Sequence, residues 1–116
     1  MTALLDAIRA RDKDGLADLL AEDVVFHSPV QTYRGRDQAV HLLVIIGGIV
    51  ESLEETRQAE TITLFRGQIE DHPVDGMLDA RPGDDGLIGE ITLMLRPLAS
   101  LQAGVARMAR ALADPA

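Results

Sequence analysis

The sequence predicts an α+β fold in which helices cover one face of an antiparallel sheet. Two short amphipathic helical patterns come first, a helix that is apolar on every side follows, and strand patterns fill most of the second half. Helices that precede a run of consecutive strands are typical of this arrangement. The length of 116 residues is usual for one domain, so residues 1–116 are expected to form a single domain.

Short helices and a strand occupy the first third of the chain. Amphipathic helical spacing occurs twice, at Leu4, Leu5, Ile8, Leu16, Leu19 and Leu20. Asp12 or Asp14 is placed to cap the second helix. Val24–Phe26 has the β-branched and aromatic residues of a short strand, which Pro29 ends because proline cannot donate to a sheet ladder. Tyr33–Gly35 is expected to form a turn.

The helix that begins at Arg36 is expected to be the centre of the core. Apolar residues occur on all of its sides, at Ala39, Val40, Leu42, Leu43, Val44, Ile45, Ile46, Ile49 and Val50. A helix that is apolar all round is buried all round. Gly47 and Gly48 each cost a helix about 1 kcal/mol relative to alanine, so close backbone packing is expected there.

Four strands and a last helix complete the predicted elements. The strands cover residues 51–60, 61–69, 74–81 and 88–95. The first is weak, charged and expected at an edge, and the last is the strongest. Pro82–Gly86 has the composition of a hairpin turn. Pro97 ends the last strand, and an amphipathic helix follows from Leu98 to near Pro115.

Composition argues against several kinds of partner. The net charge of −8 and an aromatic content of 3% disfavour nucleic acid, because its phosphates need clustered cations and its bases need stacking platforms. Two arginine pairs, Arg9 with Arg11 and Arg107 with Arg110, are isolated pairs on helices and do not form a basic tract. The longest apolar run, residues 42–50, is far shorter than the roughly 20 residues of a membrane span.

Cysteine and histidine usage argues against metal and thiol chemistry. The chain has no cysteine, which excludes disulfides and thiolate ligands. Its three histidines lack metal-ligand spacing, so no metal and no cofactor are expected. The first residues lack the basic and long apolar regions of a signal peptide. A cytoplasmic protein is therefore expected.

Motifs near both ends of the chain are shared with a known family. The segment 20–30 followed by Tyr33–Arg36 at the start of a helix, and the segment 84–88 followed by 95–101, resemble the SnoaL-like branch of the nuclear transport factor 2-like superfamily. The resemblance implies a cone of helices packed in a curved antiparallel sheet, with an extra C-terminal helix and a pocket between the layers. Many relatives dimerise through the outer face of the sheet. A homodimer is expected here, since both sheet faces also carry apolar residues.

The resemblance places two catalytic positions of the ketosteroid isomerases on residues that are not acids. The carboxylate base before the proline of the first strand matches Ser28, for which a turn or capping hydroxyl is the simpler interpretation. The acid on the penultimate strand matches Leu78. Asp79 is one residue away and is expected to face the opposite side of the sheet. The remaining weak candidates for catalysis are His27, Asp75 and Asp79.

A small apolar molecule is the predicted ligand of the pocket. The residues expected to contact it are Phe26, Ser28, Tyr33, Leu43, Leu64, Leu78, Met94 and Arg96. Tyr33 offers a hydroxyl, and Arg96 is either an anion clamp at the pocket mouth or a structural arginine before Pro97.

Three hypotheses about function follow. A small-molecule binding domain is preferred over an enzyme of the polyketide cyclase, isomerase or epoxide hydrolase kind, and both are preferred over a protein–protein interaction module. An empty pocket between helices and sheet would favour the first two, whereas a filled interior would leave only the third.

Overall fold

The structure, a computed structural model, describes residues 2–113. In this range the elements are α1 (Thr2–Arg9), α2 (Lys13–Leu19), β1 (Leu20–His27), β2 (Thr32–Arg34), α3 (Arg36–Ile49), β3 (Glu51–Ala59), β4 (Ile62–Ile69), β5 (His72–Pro82), β6 (Ile88–Arg96) and α4 (Leu98–Ala113). The predicted end of the last helix near Pro115 lies outside the described residues. None of the helices described is both long and apolar enough to cross a membrane.

The six strands form one curved, unclosed sheet in the order β2-β1-β6-β5-β4-β3. The pairs β1–β2, β3–β4, β4–β5 and β5–β6 are antiparallel. The pair β1–β6 is parallel, so the prediction of a purely antiparallel sheet is wrong at this one junction. Parallel neighbours need a long connection, and residues 28–87 provide it. As predicted, the charged strand β3 lies at an edge.

Two segments differ from the predicted secondary structure. The first strand begins at Leu20, which the sequence placed in the second helix, because Leu20 pairs with Ile88 and is fully buried. The predicted turn at Tyr33–Gly35 contains the short strand β2, which pairs with β1 from Val25 to His27. Asp12 caps α2 by accepting a hydrogen bond from the Gly15 backbone N–H, as expected.

Strand register fixes which side chains face the helices. On the helix-covered side, called here the inner face, Leu78 of β5 lies opposite Leu93 of β6 and Thr63 of β4. On the other side, called the outer face, Asp79 lies opposite Thr92 and Ile62. The β5–β6 register runs without a shift from Asp75 to Arg81, so the alternation predicted for Leu78 and Asp79 holds.

Helix α3 is buried along one side only. Ala39, Val40, Leu42 and Leu43 are at most 4% exposed, whereas Val44, Ile45 and Ile46 are half-buried. The expectation of burial on every side was therefore wrong for Val44 and Ile45. These two side chains line a surface groove together with three arginines.

The glycine pair of α3 permits a close contact with α1. A Cβ atom at Gly47 would collide with the carbonyl oxygen of Ile8, and one at Gly48 would lie 3.2 Å from Nη1 of Arg11. The close backbone packing predicted from Gly47 and Gly48 is therefore confirmed at Gly47. At Gly48 the neighbour is a side chain.

Candidate functional site

An apolar cavity of about 210 Å³ lies between α3, the inner face of the sheet and α4. Its apolar lining from α3 and the sheet is Phe26, Leu42, Ile46, Ile49, Ile69, Leu93 and Leu95. Its lining from α4 is Leu101, Gly104, Val105, Met108, Ala109 and Leu112. The spacing of these α4 residues places them on one face of the helix, so α4 forms a whole wall of the cavity.

Helix α4 is held on the sheet by a few specific contacts. The Ser100 hydroxyl, which is buried, donates to the carbonyl oxygen of Pro73. Gly104 is buried against Ile69, whose Cδ1 would lie 3.1 Å from a Cβ at that position. Glu70 lies 3.9 Å from Arg107 and 3.6 Å from Arg110. The contacts of Ser100 and Gly104 fix the first two turns of α4 on the sheet, and the Glu70 contacts lie further along the helix.

The mouth of the cavity is an exposed apolar rim. Val30 is 65% exposed, and Val105 and Leu112 of α4 are 41% and 47% exposed. All three line the cavity, together with Pro29. Large apolar side chains at this exposure gain little from folding, so a ligand that enters between Val30 and Leu112 would bury them.

The polar groups in the cavity lining are Ser28, in the turn between β1 and β2, and Tyr33 of β2. The Ser28 hydroxyl donates to the Gln31 carbonyl oxygen (2.8 Å) and accepts from the backbone N–H groups of Val30 (3.2 Å) and Gln31 (3.1 Å). It therefore serves the turn, as the simpler interpretation held. The Gln31 side-chain amide donates to Tyr33 Oη at 2.7 Å, so this hydrogen bond does not use the phenolic hydrogen.

The aromatic pair Phe26 and Tyr33 forms one end of the cavity. These residues are register partners on β1 and β2, and their ring centroids lie 6.2 Å apart with planes 30° from parallel. Gly35 follows with a φ of 98°, a conformation that favours glycine, and it turns the chain from β2 into α3. The β1–β2 register places the Tyr33 ring beside Phe26.

The inner end of the cone is filled by side chains. The void between Leu43, Phe65, Leu78 and their neighbours measures about 10 Å³, which is scarcely room for one water molecule. Leu43 is fully buried and Leu78 is 2% exposed. The position matched to the isomerase acid therefore lies in packed core, outside the cavity.

The residues predicted to contact a ligand separate into three groups. Phe26, Ser28 and Tyr33 line the cavity. Leu43 and Leu78 lie in the core beneath it. Leu64, Met94 and Arg96 do not line the cavity; by strand alternation they lie on the outer face, and Arg96 pairs with Asp75 at 3.3 Å.

The three candidate catalytic residues all lie on the outer face. Nε2 of His27 lies 2.8 Å from a Glu90 carboxylate oxygen, and its Nδ1 lies 2.9 Å from Thr32 Oγ1. Asp79 accepts from the Thr61 hydroxyl at 2.6 Å. Phe26, the neighbour of His27, points inward, so alternation directs His27 away from the cavity. None of these groups can reach a ligand bound there.

Within residues 2–113 no cluster of three or more histidine, aspartate or glutamate side chains is placed to hold a metal ion.

The contribution of α4 to the site was missed by the sequence analysis. The sequence predicts an amphipathic helix there, with apolar residues at Leu101, Val105 and Met108, but this spacing does not indicate which surface the helix covers. The sequence did contain an indication. The other predicted helices already had their apolar faces assigned to the core, whereas the apolar face of the last helix had no assigned surface to pack against. The aromatic Phe65, which fills the inner end, was also not identified.

The sequence matches a family model described as the SnoaL-like domain over residues 1–59, which is about half of the 116 residues. No curated protein sequence matches the chain.

Several solved structures are similar over most of the chain. A protein described as a steroid delta-isomerase from Pseudomonas aeruginosa is 30% identical, with a TM-score of 0.87, over 93% of this chain and 85% of its own. An uncharacterised protein with a cystatin-like fold from Silicibacter pomeroyi DSS-3 is 24% identical, with a TM-score of 0.90, over 97% and 85%. A designed protein with a curved β-sheet is 14% identical, with a TM-score of 0.73, over 90% of each chain. The last two likenesses concern the fold alone.

Proposed function

Because the chain belongs to the SnoaL-like family of the nuclear transport factor 2-like superfamily, we propose that it binds a small uncharged apolar molecule in the cavity beneath α4. The observation that carries the proposal is the lining itself. Apart from Ser28 and Tyr33, the lining residues have no polar side chains. An ionised ligand group placed there would lose its hydration without finding a counter-charge.

The size of the cavity limits the ligand. A dry apolar cavity of ~150 Å³ is large enough for benzene. A cavity of about 210 Å³ therefore suits a molecule of one or two rings, and a longer molecule could extend through the mouth past Val30 and Leu112. Tyr33 Oη can donate one hydrogen bond, which favours a ligand with a carbonyl or ether oxygen at the Phe26 end.

Isomerase activity is the second candidate, favoured by the 30% identity to the protein described as a steroid delta-isomerase. Proton abstraction beside a carbonyl needs a general base that reaches the substrate. Ser28 and Leu78 stand at the matched positions, and neither can act as that base. Binding without isomerisation is therefore the function that the geometry supports better.

We also propose a homodimer formed through the outer face of the sheet. Ile62, Leu64, Met77 and Met94 are neighbours on this face by register, and Leu64 and Met94 are 37% and 58% exposed. The helices cover only the inner face. A two-fold contact would cover this apolar surface, and it is the commonest way in which proteins do so.

Fluorescence titration with N-phenyl-1-naphthylamine, an uncharged aromatic probe, tests the binding proposal. The wild-type protein should enhance the emission saturably. Met108→Trp places a larger ring in the cavity and should weaken binding at least ten-fold. Ala106→Trp adds the same ring to an exposed position of α4 outside the lining and should leave binding unchanged. Equal binding by both variants would contradict the proposal.

A further inference from the structure

Three arginines from opposite ends of the sequence line one surface groove. Arg11, Arg107 and Arg110 line this groove, which measures about 450 Å³ and is floored by Val44, Ile45 and Ala111. In the sequence, Arg11 lies far from Arg107 and Arg110, in a chain with a net charge of −8. The fold brings them together because α1 packs against one part of α3 while α4 packs against another.

Arg11 is held in place by its backbone and by α3. Its φ of 52° lies in the left-handed region, which a non-glycine residue seldom adopts. Its side chain lies against Gly47 and Gly48, with Cγ 3.1 Å from the Cβ position of the first and Nη1 3.2 Å from that of the second. Among the described residues, its guanidinium makes neither a hydrogen bond nor an ion pair.

Arg107 and Arg110 share one loosely placed carboxylate. Their guanidinium nitrogens lie 3.9 Å and 3.6 Å from the same Glu70 oxygen, which is beyond hydrogen-bond length. Glu70 is itself about half exposed. The groove is therefore lined by three arginines, of which Arg107 and Arg110 share one carboxylate and Arg11 has none, so positive charge is in excess there.

A structural role for these arginines accounts for only part of this arrangement. A cation near the last turn of α3 is stabilised by the helix dipole, and Arg11 is so placed. The dipole does not use the guanidinium's planar set of N–H donors, which match the oxygens of a phosphate. Stabilisation of the α3 dipole by Arg11 also does not explain why the partly exposed apolar side chains of Val44 and Ile45 lie beside the arginines.

We infer that this groove binds a phosphate monoester. The dianionic phosphate would replace Glu70 as the partner of Arg107 and Arg110 and would also pair with Arg11, and the organic part would cover Val44, Ile45 and Ala111. The site goes beyond the proposed function, since it lies across the α3–α4 contact from the apolar cavity and takes a ligand of opposite chemistry. Free organic phosphates and phospholipid headgroups share this chemistry.

Titration calorimetry with 1-naphthyl phosphate tests the inference. 1-Naphthol, which the apolar cavity is proposed to bind, measures the heat from that cavity, and its binding should not change with the arginine substitutions below. Wild-type protein should bind the phosphate, and binding should weaken as NaCl is raised from about 25 to 200 mM because the contact is ionic. Arg11→Gln and Arg107→Gln should each weaken binding about ten-fold. Arg34→Gln, which removes a positive charge from β2 outside the groove, should not.

Glu70→Gln is expected to strengthen phosphate binding. A variant that had lost its structure would bind more weakly, so this result could not come from misfolding. Removing the competing carboxylate should tighten binding of 1-naphthyl phosphate several-fold, whereas Glu22→Gln on β1 should leave it unchanged. Vesicles that contain phosphatidic acid identify the source: retention on them, together with loss in Arg11→Gln, assigns the groove to a lipid headgroup. If wild type binds neither phosphate source, or if Arg34→Gln weakens binding as much as Arg11→Gln, the inference is wrong.

Discussion

The ring of Phe65 lies directly over Gly76, its register partner on the neighbouring strand. A Cβ atom at position 76 would collide with three carbon atoms of this ring. The contact seats the ring at the inner end of the cone beside Leu78, where only about 10 Å³ remains empty. It thereby confines the open cavity to the end covered by α4.

Gly76→Ala should therefore destabilise the protein. The added methyl group forces the Phe65 ring out of its position in a packed core, which typically costs about 1–3 kcal/mol. Chemical denaturation should show this loss in the free energy of unfolding. Gly89→Ala on β6 is the matched control, because no heavy atom lies within 4 Å of its Cβ position and its φ is not positive. Equal stability of the two variants would contradict this account of the inner end.

Two substitutions on α3 should have opposite effects on folding. Leu43→Asp puts a carboxylate into a fully buried site without a partner and should prevent folding, since such a burial exceeds what a stability of about 5–15 kcal/mol can offset. Ile45→Asp faces the groove with Arg11, Arg107 and Arg110 and should remain folded. Circular dichroism with thermal melting checks both. If Ile45→Asp fails to fold as completely as Leu43→Asp, the half-buried side of α3 is misplaced.

The wild-type protein should show no ketosteroid isomerase activity. The groups that could act as a base, His27, Asp75 and Asp79, lie on the outer face, and losing a general base typically removes about 10²–10⁴-fold in rate. Absorbance at the wavelength of the conjugated enone follows the conversion. Turnover by wild type that disappears in Asp79→Asn or His27→Gln would show that the outer face takes part in catalysis.

The exposed Met94 on the outer face should be required for dimer formation. Met94→Lys places a charge in the centre of the proposed dimer contact, next to Met77, and should convert the dimer to a monomer of 12.5 kDa. Leu98→Lys makes the same kind of change at an exposed apolar residue of α4 that lies off the sheet, and should leave the mass unchanged. Light scattering at micromolar concentration distinguishes these outcomes. A monomeric wild type would contradict the dimer.

The sequence predicted the local features of each strand and helix better than it predicted which elements pack or pair with one another. Alternation was enough to place Leu78 inward and Asp79 outward, because a strand has only two faces and one of them is buried. The parallel pairing of β1 with β6 could not be predicted, since residues 28–87 separate the strands and neither pattern encodes its neighbour. The arginine groove was missed for the same reason: Arg11 and Arg107 are brought together only by the packing of α1 and α4 around α3.

Methyl NMR of methionine tests the central claim, that the cavity beneath α4 is the ligand site, most directly. With ¹³C-methyl methionine, the signals of Met108, Met94 and Met77 report separately on the cavity and on the outer face. On titration with N-phenyl-1-naphthylamine, the aromatic ring should shift the Met108 methyl signal and leave those of Met94 and Met77 unchanged. Shifts at Met94 and Met77 with an unmoved Met108 signal would contradict the claim and place the ligand on the outer face of the sheet.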